Sequence, residues 1–162
     1  MKHTISILVE NHAGVLARIS GLFARRGFNI DSLAVGVTGD PSVSRITIVV
    51  DGNEATVEQV EKQLNKLIEV IRLRRLPEGS IRRELMLIKV ECDEKTRGPV
   101  LDIVRVMGAK VCDISSDTLT VEISDTTEQL EIMSELLNPF HILEIVRTGT
   151  IALEKGGAVL SV

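Results

Sequence analysis

The chain has 162 residues, a net charge of −4 and a pI near 5.4. Hydrophobic residues make up 44% of it but aromatic ones only 2%, with three Phe and neither Trp nor Tyr. The acidic balance argues against a general nucleic-acid binder, and the lack of rings leaves little on which to stack bases or sugars.

The start, MKHTISILVENH, alternates and soon turns polar, so it does not read as a secretory segment. No apolar run approaches the ~18 residues a membrane span requires. A soluble, cytoplasmic protein without a membrane partner is expected. Cys92 and Cys112 fall in apolar, strand-like stretches with no close-spaced pair, which predicts buried free thiols.

Thr4 to Glu10 alternates, with Ile5, Ile7 and Val9 on one face, and predicts a strand. From Gly14 the period changes: Val15, Ile19, Leu22 and Phe23 form one helical stripe, stopped by Arg25, Arg26 and Gly27. A second strand follows from Phe28 to about Thr38, then a Gly39-Asp-Pro-Ser42 turn and a third strand with Ile46, Ile48 and Val50 on one face. The next helix carries Val57, Val60, Leu64, Leu67 and Ile68, with Thr56 and Gln59 reading as a capping box. Val70 to Leu76 closes a βαββαβ unit, the ferredoxin-like order.

Beyond Pro77-Glu-Gly-Ser80 the order repeats. Strands are expected at Glu84–Cys92, Ala109–Ser115 and Leu119–Ile123, and helices at Gly98–Met107 and Thr127–Leu137. A last strand starts at Ile142 and could extend to Leu153. The joint after the first helix aligns between the halves, Gly27-Phe-Asn-Ile-Asp-Ser-Leu33 against Gly108-Ala-Lys-Val-Cys-Asp-Ile114. The reading is therefore α+β, two tandem ferredoxin-like domains at 1–77 and 82–162 joined by a linker at 78–81. The tail from Gly156 is either frayed or borrowed for a contact.

In the first domain two helices cover one sheet face, leaving Leu8 and Val49 on the other as apolar positions. Small sheets of this kind pair with a copy of themselves, so at least a homodimer is expected. Arg72, Arg74, Arg75, Arg82 and Arg83 form a basic cluster, either a solvated strand end and linker or a docking patch for an acidic partner.

The candidate site is the stretch from Glu10 to Asp31. Its turns bearing Asn11 and Asn29 are expected to lie side by side, within one subunit or across a dimer. A helix N-terminus offers unpaired N–H groups and partial positive charge to a carboxylate, and Gly14 removes the Cβ that would block approach. Asn11 and Asn29 each offer a donor and an acceptor, with Val15, Leu16 and Ile30 as an apolar wall. These groups suit a free amino acid, although Asn11 and Gly14 also read as an ordinary helix start. His12 is either a pH-sensitive ligand contact or a solvated loop side chain. His3, His12 and His141 are scattered, no paired cysteines or clustered carboxylates occur, and no nucleophile elbow or phosphate-cradling glycine loop is present, so no catalytic or metal site is expected.

The segments ENHAGVLARISGLFARRGFNIDSLAVG, DPSVSRITIVV, EQVEKQLNKLIEV, RRELMLIKV and EIVRTGTIAL resemble the regulatory small subunits of acetolactate (acetohydroxyacid) synthase, over nearly the whole chain. The resemblance implies an N-terminal ACT domain and a C-terminal ACT-like domain. It also implies a non-catalytic subunit in branched-chain amino-acid biosynthesis. Such a subunit activates a thiamine-diphosphate-dependent catalytic subunit and confers feedback inhibition by valine or a related amino acid. Thiamine diphosphate, magnesium and any FAD would belong to that partner, and this chain would bind no cofactor.

By the same resemblance the effector sits at a homodimer interface, between the loop Asn11, His12, Ala13, Gly14, Val15 and Leu16 of one subunit and Asn29 and Ile30 of its neighbour. The second domain departs from the pattern, with Asp93-Glu-Lys-Thr-Arg-Gly98 in the loop and Lys110 where Asn29 stands, so no second effector site is expected. Two other readings are an ACT-type amino-acid sensor acting on another partner and a small ferredoxin-like acylphosphatase. The first needs a basic or helix-turn-helix face and the second an arginine-bearing phosphate loop.

Overall fold

The computed structural model describes residues 1–162, which group into two compact units: Met1–Ile81 with Thr150–Val162, and Arg82–Gly149. The first unit holds β1 (Lys2–Glu10), α1 (Val15–Arg26), β2 (Ile30–Val37), β3 (Val43–Asp51), α2 (Glu54–Leu64) and β4 (Val70–Leu76). Its antiparallel sheet runs β2-β3-β1-β4, with both helices on one face. Alternation along β1 and β3 drives Ile5, Ile7, Val9, Ile46, Ile48 and Val50 into one core with Val15, Ile19, Leu22 and Phe23 of α1 and Val57, Val60 and Leu64 of α2. Each such side chain contributes about 1.5–3 kcal/mol on burial.

Helix α1 stops where Gly27 takes φ 67, and the Phe28 N–H returns to the Phe23 carbonyl at 3.0 Å, satisfying an orphan acceptor of the last turn. Helix α2 departs from its sequence reading at both ends. Its cap is Asn53, whose Oδ1 accepts from the Thr56 N–H and hydroxyl, both at 2.9 Å, so the helix begins before the expected Thr56–Gln59 box. It also ends at Leu64, which leaves Ile68 outside the helix and 90% exposed.

The second unit repeats the order with β5 (Ile81–Glu91), α3 (Arg97–Val106), β6 (Lys110–Ile114), β7 (Thr118–Asp125), α4 (Thr127–Leu137), a single 3-10 turn at Asn138–Phe140, and β8 (Ile142–Arg147). The path through its sheet is β6-β7-β5-β8, and its core joins Met86, Ile88 and Val90 to Val100, Leu119, Val121, Leu130 and Met133. Buried Glu84 accepts from the Thr127 hydroxyl at 3.1 Å and from Arg147 Nη2 at 2.9 Å. The two tandem ferredoxin-like units expected from the sequence are thus the observed architecture. Cys92 is buried but Cys112 is exposed on an edge strand, contrary to the expectation of two buried thiols, and both are free.

The last strand does not run on to Leu153. It breaks after Arg147, Gly149 takes φ 82, and pairing with β5 resumes in a short strand of its own, β9 (Ile151–Leu153). By its contacts the segment from Thr150 also groups with the first unit. It lies on the sheet face opposite the helices. The Thr150 N–H donates to Ser32 Oγ at 2.8 Å, Arg45 Nη2 donates to the Ala152 carbonyl at 3.1 Å, and Arg74 Nη1 meets Glu154 Oε2 at 3.0 Å. Ser32, Arg45 and Arg74 stand on β2, β3 and β4, so residues 150–154 form a strap across the sheet. On that face Thr4, Ser6 and Thr47 are buried among Leu8, Val43, Val49 and Leu76. Contact with the chain is made at Thr150–Glu154, ahead of the tail from Gly156 that the sequence singles out.

Arg74 is thereby paired within the chain. Arg75 is paired as well, with Glu54 at 2.6 Å and Glu61 at 3.3 Å.

Candidate functional site

The loop after β1 is tied to the turn after β2. Glu10 pairs with Val43, so the end of β1 lies beside the 38–42 turn. The Asn11 N–H donates to the Ser42 carbonyl and Asn11 Nδ2 to the Pro41 carbonyl, both at 2.8 Å. The Asn11 donor is therefore engaged in shaping the loop, and its Oδ1 is the atom left for a ligand.

Gly14, at φ 89, turns this loop into α1 with no side-chain cap, and the first turn holds no acidic residue. The first helical bond runs from the Arg18 N–H to the Gly14 carbonyl at 3.0 Å. The N–H groups of Val15, Leu16 and Ala17 thus have no intrahelical acceptor, with the positive end of the dipole behind them. A Cβ at Gly14 would meet no atom within 4 Å, so the approach is open. Val15 is the exception among the expected wall residues. Its side chain is 4% exposed in the core, leaving only its amide to the loop, whereas Leu16 is 42% exposed.

Asn29 is exposed and donates through Nδ2 to Asp31 Oδ1 at 3.2 Å, and Lys2 Nζ lies 3.2 Å from the other oxygen of that carboxylate. Register places this turn far from the first loop. Ile30 pairs with Val50 and Glu10 with Val43, so the two lie at opposite ends of β3, about 23 Å apart at the strand rise. Within one chain the expected side-by-side arrangement of Asn11 and Asn29 does not occur, because α1 runs the length of the sheet between them. Only two copies can bring these groups together.

His12 has an acceptor at each ring nitrogen: the Ala13 carbonyl 3.1 Å from Nδ1 and Glu10 Oε2 at 3.0 Å from Nε2. Only the imidazolium donates to both. The Ala13 carbonyl first, then the Glu10 hydrogen bond, raise the His12 pKa above its ordinary value, with Glu69 adding a smaller push. This clasp is complete below the ordinary histidine pKa of about 6.5 and is lost as pH rises through the raised value. An NMR titration reads this directly: Glu10→Gln lowers the His12 pKa, and an unchanged titration would remove the clasp.

Sequence reasoning missed Pro41, Ser42, Glu10 and Asp31 as the partners that shape these turns. The Gly39–Ser42 turn signal was visible; what it lacked was the register that sets it beside Asn11. Buried Glu69, ion-paired with Arg18 of α1, was equally unmarked.

The matching loop of the second unit is closed by its own carboxylate. Asp93 Oδ1 accepts from the N–H groups of Lys95 and Thr96 at 2.9 and 2.8 Å and from the Thr96 hydroxyl at 3.0 Å. Those bonds, the Thr96 ones foremost, hold its carboxyl below the usual carboxylate range. A cleft of about 450 Å³ opens there, lined by Glu91, Asp93, Asp117 and His141 among others. A ligand carboxylate would have to displace one anion while facing two more. No three His, Cys, Asp or Glu side chains are grouped to hold a metal ion, and no helix is long and apolar enough to cross a membrane.

Comparison with known proteins places both halves. Residues 5–72 match the family described as AHAS small subunit-like ACT domain, and residues 83–156 match the small subunit of acetolactate synthase. The acetolactate synthase small subunit of Mycolicibacterium smegmatis is 49% identical over 155 residues, covering 95% of this chain and 91% of the relative. A probable acetolactate synthase small subunit of Archaeoglobus fulgidus is 46% identical over 156 residues, 96% of this chain and 98% of the relative. The crystal structure of the small subunit from Thermotoga maritima superposes with a TM-score of 0.91 at 37% identity, covering 98% of this chain and 99% of that one.

Proposed function

Because the chain belongs to the acetolactate synthase small-subunit family, we propose that it is the non-catalytic regulator of a thiamine-diphosphate-dependent catalytic subunit in branched-chain amino-acid biosynthesis. It activates that partner in the cytoplasm and makes it sensitive to valine or a related amino acid. Thiamine diphosphate, magnesium and any FAD belong to the partner.

The observation that carries the effector part is the uncapped start of α1 behind Gly14, with its free amides and exposed Leu16. The ligand carboxylate docks on those amides, and Asn29 with Ile30 of a second copy faces its ammonium and side chain. The sheet supports this arrangement, because β2 is an edge strand with Val35 48% and Val37 59% exposed. Two β2 edges paired antiparallel about a two-fold axis bring the start of one β2 to the end of the other. That sets Asn29 and Ile30 of one copy at the Asn11–Leu16 end of its neighbour, twice per dimer.

Inhibition then requires that valine favour one state of the complex over another, by no more than its differential affinity. The test is to mix the chain with its catalytic subunit and follow acetolactate formation. The rate rises on addition of the chain and falls again with valine; a rate unmoved in both conditions would overturn the proposal.

A further inference from the structure

The strap Thr150–Glu154 joins two places that the regulatory reading leaves unconnected. Its first anchor, Ser32 Oγ, stands two residues beyond Ile30. Between Ile30 and Ser32 the pairing of β2 with β3 slips: Ile30 opposes Val50 and Ser32 opposes Val49, leaving Asp31 as an extra residue. Such a bulge bends the strand and locally disrupts the ladder, so a change at Ile30 bears on the residue paired next. A ligand gripping Asn29 and Ile30 acts on this bulge, and Ser32 is the next paired residue after it.

The remaining anchors act in both directions, and β9 is held besides by its pairing with β5. Arg45 donates through Nε to Ser6 Oγ at 2.9 Å and through Nη2 to the Ala152 carbonyl, so both of its hydrogen-bond partners are neutral. Covering a guanidinium without a counter-charge opposes docking, and burial accordingly lowers the Arg45 pKa. Buried Ala152 and the Arg74–Glu154 pair favour docking, while Ile151 and Leu153 face outward, 58% and 57% exposed. Upstream, Gly149 at φ 82 forms the joint through which the strap continues into the second unit.

We propose that occupancy of the effector site at Asn29 and Ile30 controls docking of this strap through Ser32, so that the strap carries the effector signal out of the first unit along the chain. The inference rests on the effector site proposed above. A filled site fixes the bulge, holds Ser32 in place and favours the docked strap; by linkage, a weakened strap lowers effector affinity to the same degree.

The experiment uses the full chain, with valine as probe. Calorimetry first establishes binding, and hydrogen exchange of the Thr150 amide, which donates to Ser32, is then followed with and without saturating valine. Exchange at Thr150 slows about fivefold or more when valine is bound. Glu154→Arg weakens valine binding by a similar factor, and the Arg74→Glu, Glu154→Arg double exchange restores it. If valine binds yet Thr150 exchanges identically in both states, the coupling is overturned while the effector site stands. If Glu154→Arg weakens binding but the double exchange does not restore it, the ion pair is not the lever and the coupling fails. If valine does not bind wild type at all, the effector site falls and the coupling with it.

Discussion

Gly14→Asp weakens valine binding by roughly 100-fold or more in calorimetry, since like charges brought together in a binding site cost several kcal/mol. The added carboxylate sits where the ligand carboxylate meets the first amides of α1. Two competing explanations of such a loss are separable. Steric exclusion within the chain does not apply, because a Cβ at Gly14 meets no atom within 4 Å. Backbone strain does apply, because φ is 89 and an L-residue in the left-handed region costs about 1–2 kcal/mol. Gly14→Ala carries that strain without the charge, and Asp tolerates the region better than Ala. Gly14→Ala should therefore bind within about tenfold of wild type. If Ala and Asp lose affinity equally, backbone geometry rather than electrostatics governs the loop. If Gly14→Asp binds normally, the loop is not the carboxylate site.

Phe23→Ala destabilises the first unit by about 3–5 kcal/mol, the range for truncating a fully buried Phe. Phe23 is 1% exposed, and its ring meets Phe28 edge-on at 6.4 Å between centroids and 76° between planes. Phe28 begins the turn that leads to Asn29, so the cavity loosens one half of the effector site as well as the core. For a unit of this size the shift in Tm is roughly 12–40 °C. With two compact units a single unfolding free energy is not defined, so the measurement is a thermal scan resolved into transitions. The transition of the unit built on Met86, Ile88 and Leu130 should remain in place. A loss below about 1 kcal/mol would mean that Phe23 is not a keystone of this core.

Local periodicity carried most of the fold into the sequence. The stripe of Val15, Ile19, Leu22 and Phe23 and the alternation of Ile46, Ile48 and Val50 each need only near neighbours to be recognised, and both are buried as expected. Errors arose where a residue takes its role from a distant partner. Ile68 continues the spacing of α2 but lies past its end, since spacing alone does not say where the backbone leaves the helix. Val15 fits the loop by position and the core by phase, and burial favoured the core. Asn11 and Asn29 look adjacent on paper because each flanks α1. The register of β3 separates them, and no local pattern encodes it. Thr150, Ala152 and Glu154 were unreadable for the same reason: their partners Ser32, Arg45 and Arg74 lie some 80 to 118 residues earlier.

The strap also sets an order of events during synthesis. The strands and helices of the first unit leave the ribosome well before Thr150, and at 5–20 residues per second the intervening stretch takes roughly 3–14 s to make. Throughout that interval the sheet face the strap will lie on is open to the cell. Thr4, Ser6 and Thr47 make that face, which also carries Leu8, Val43, Val49 and Leu76, less apolar than the helix-covered one while it waits for its own chain.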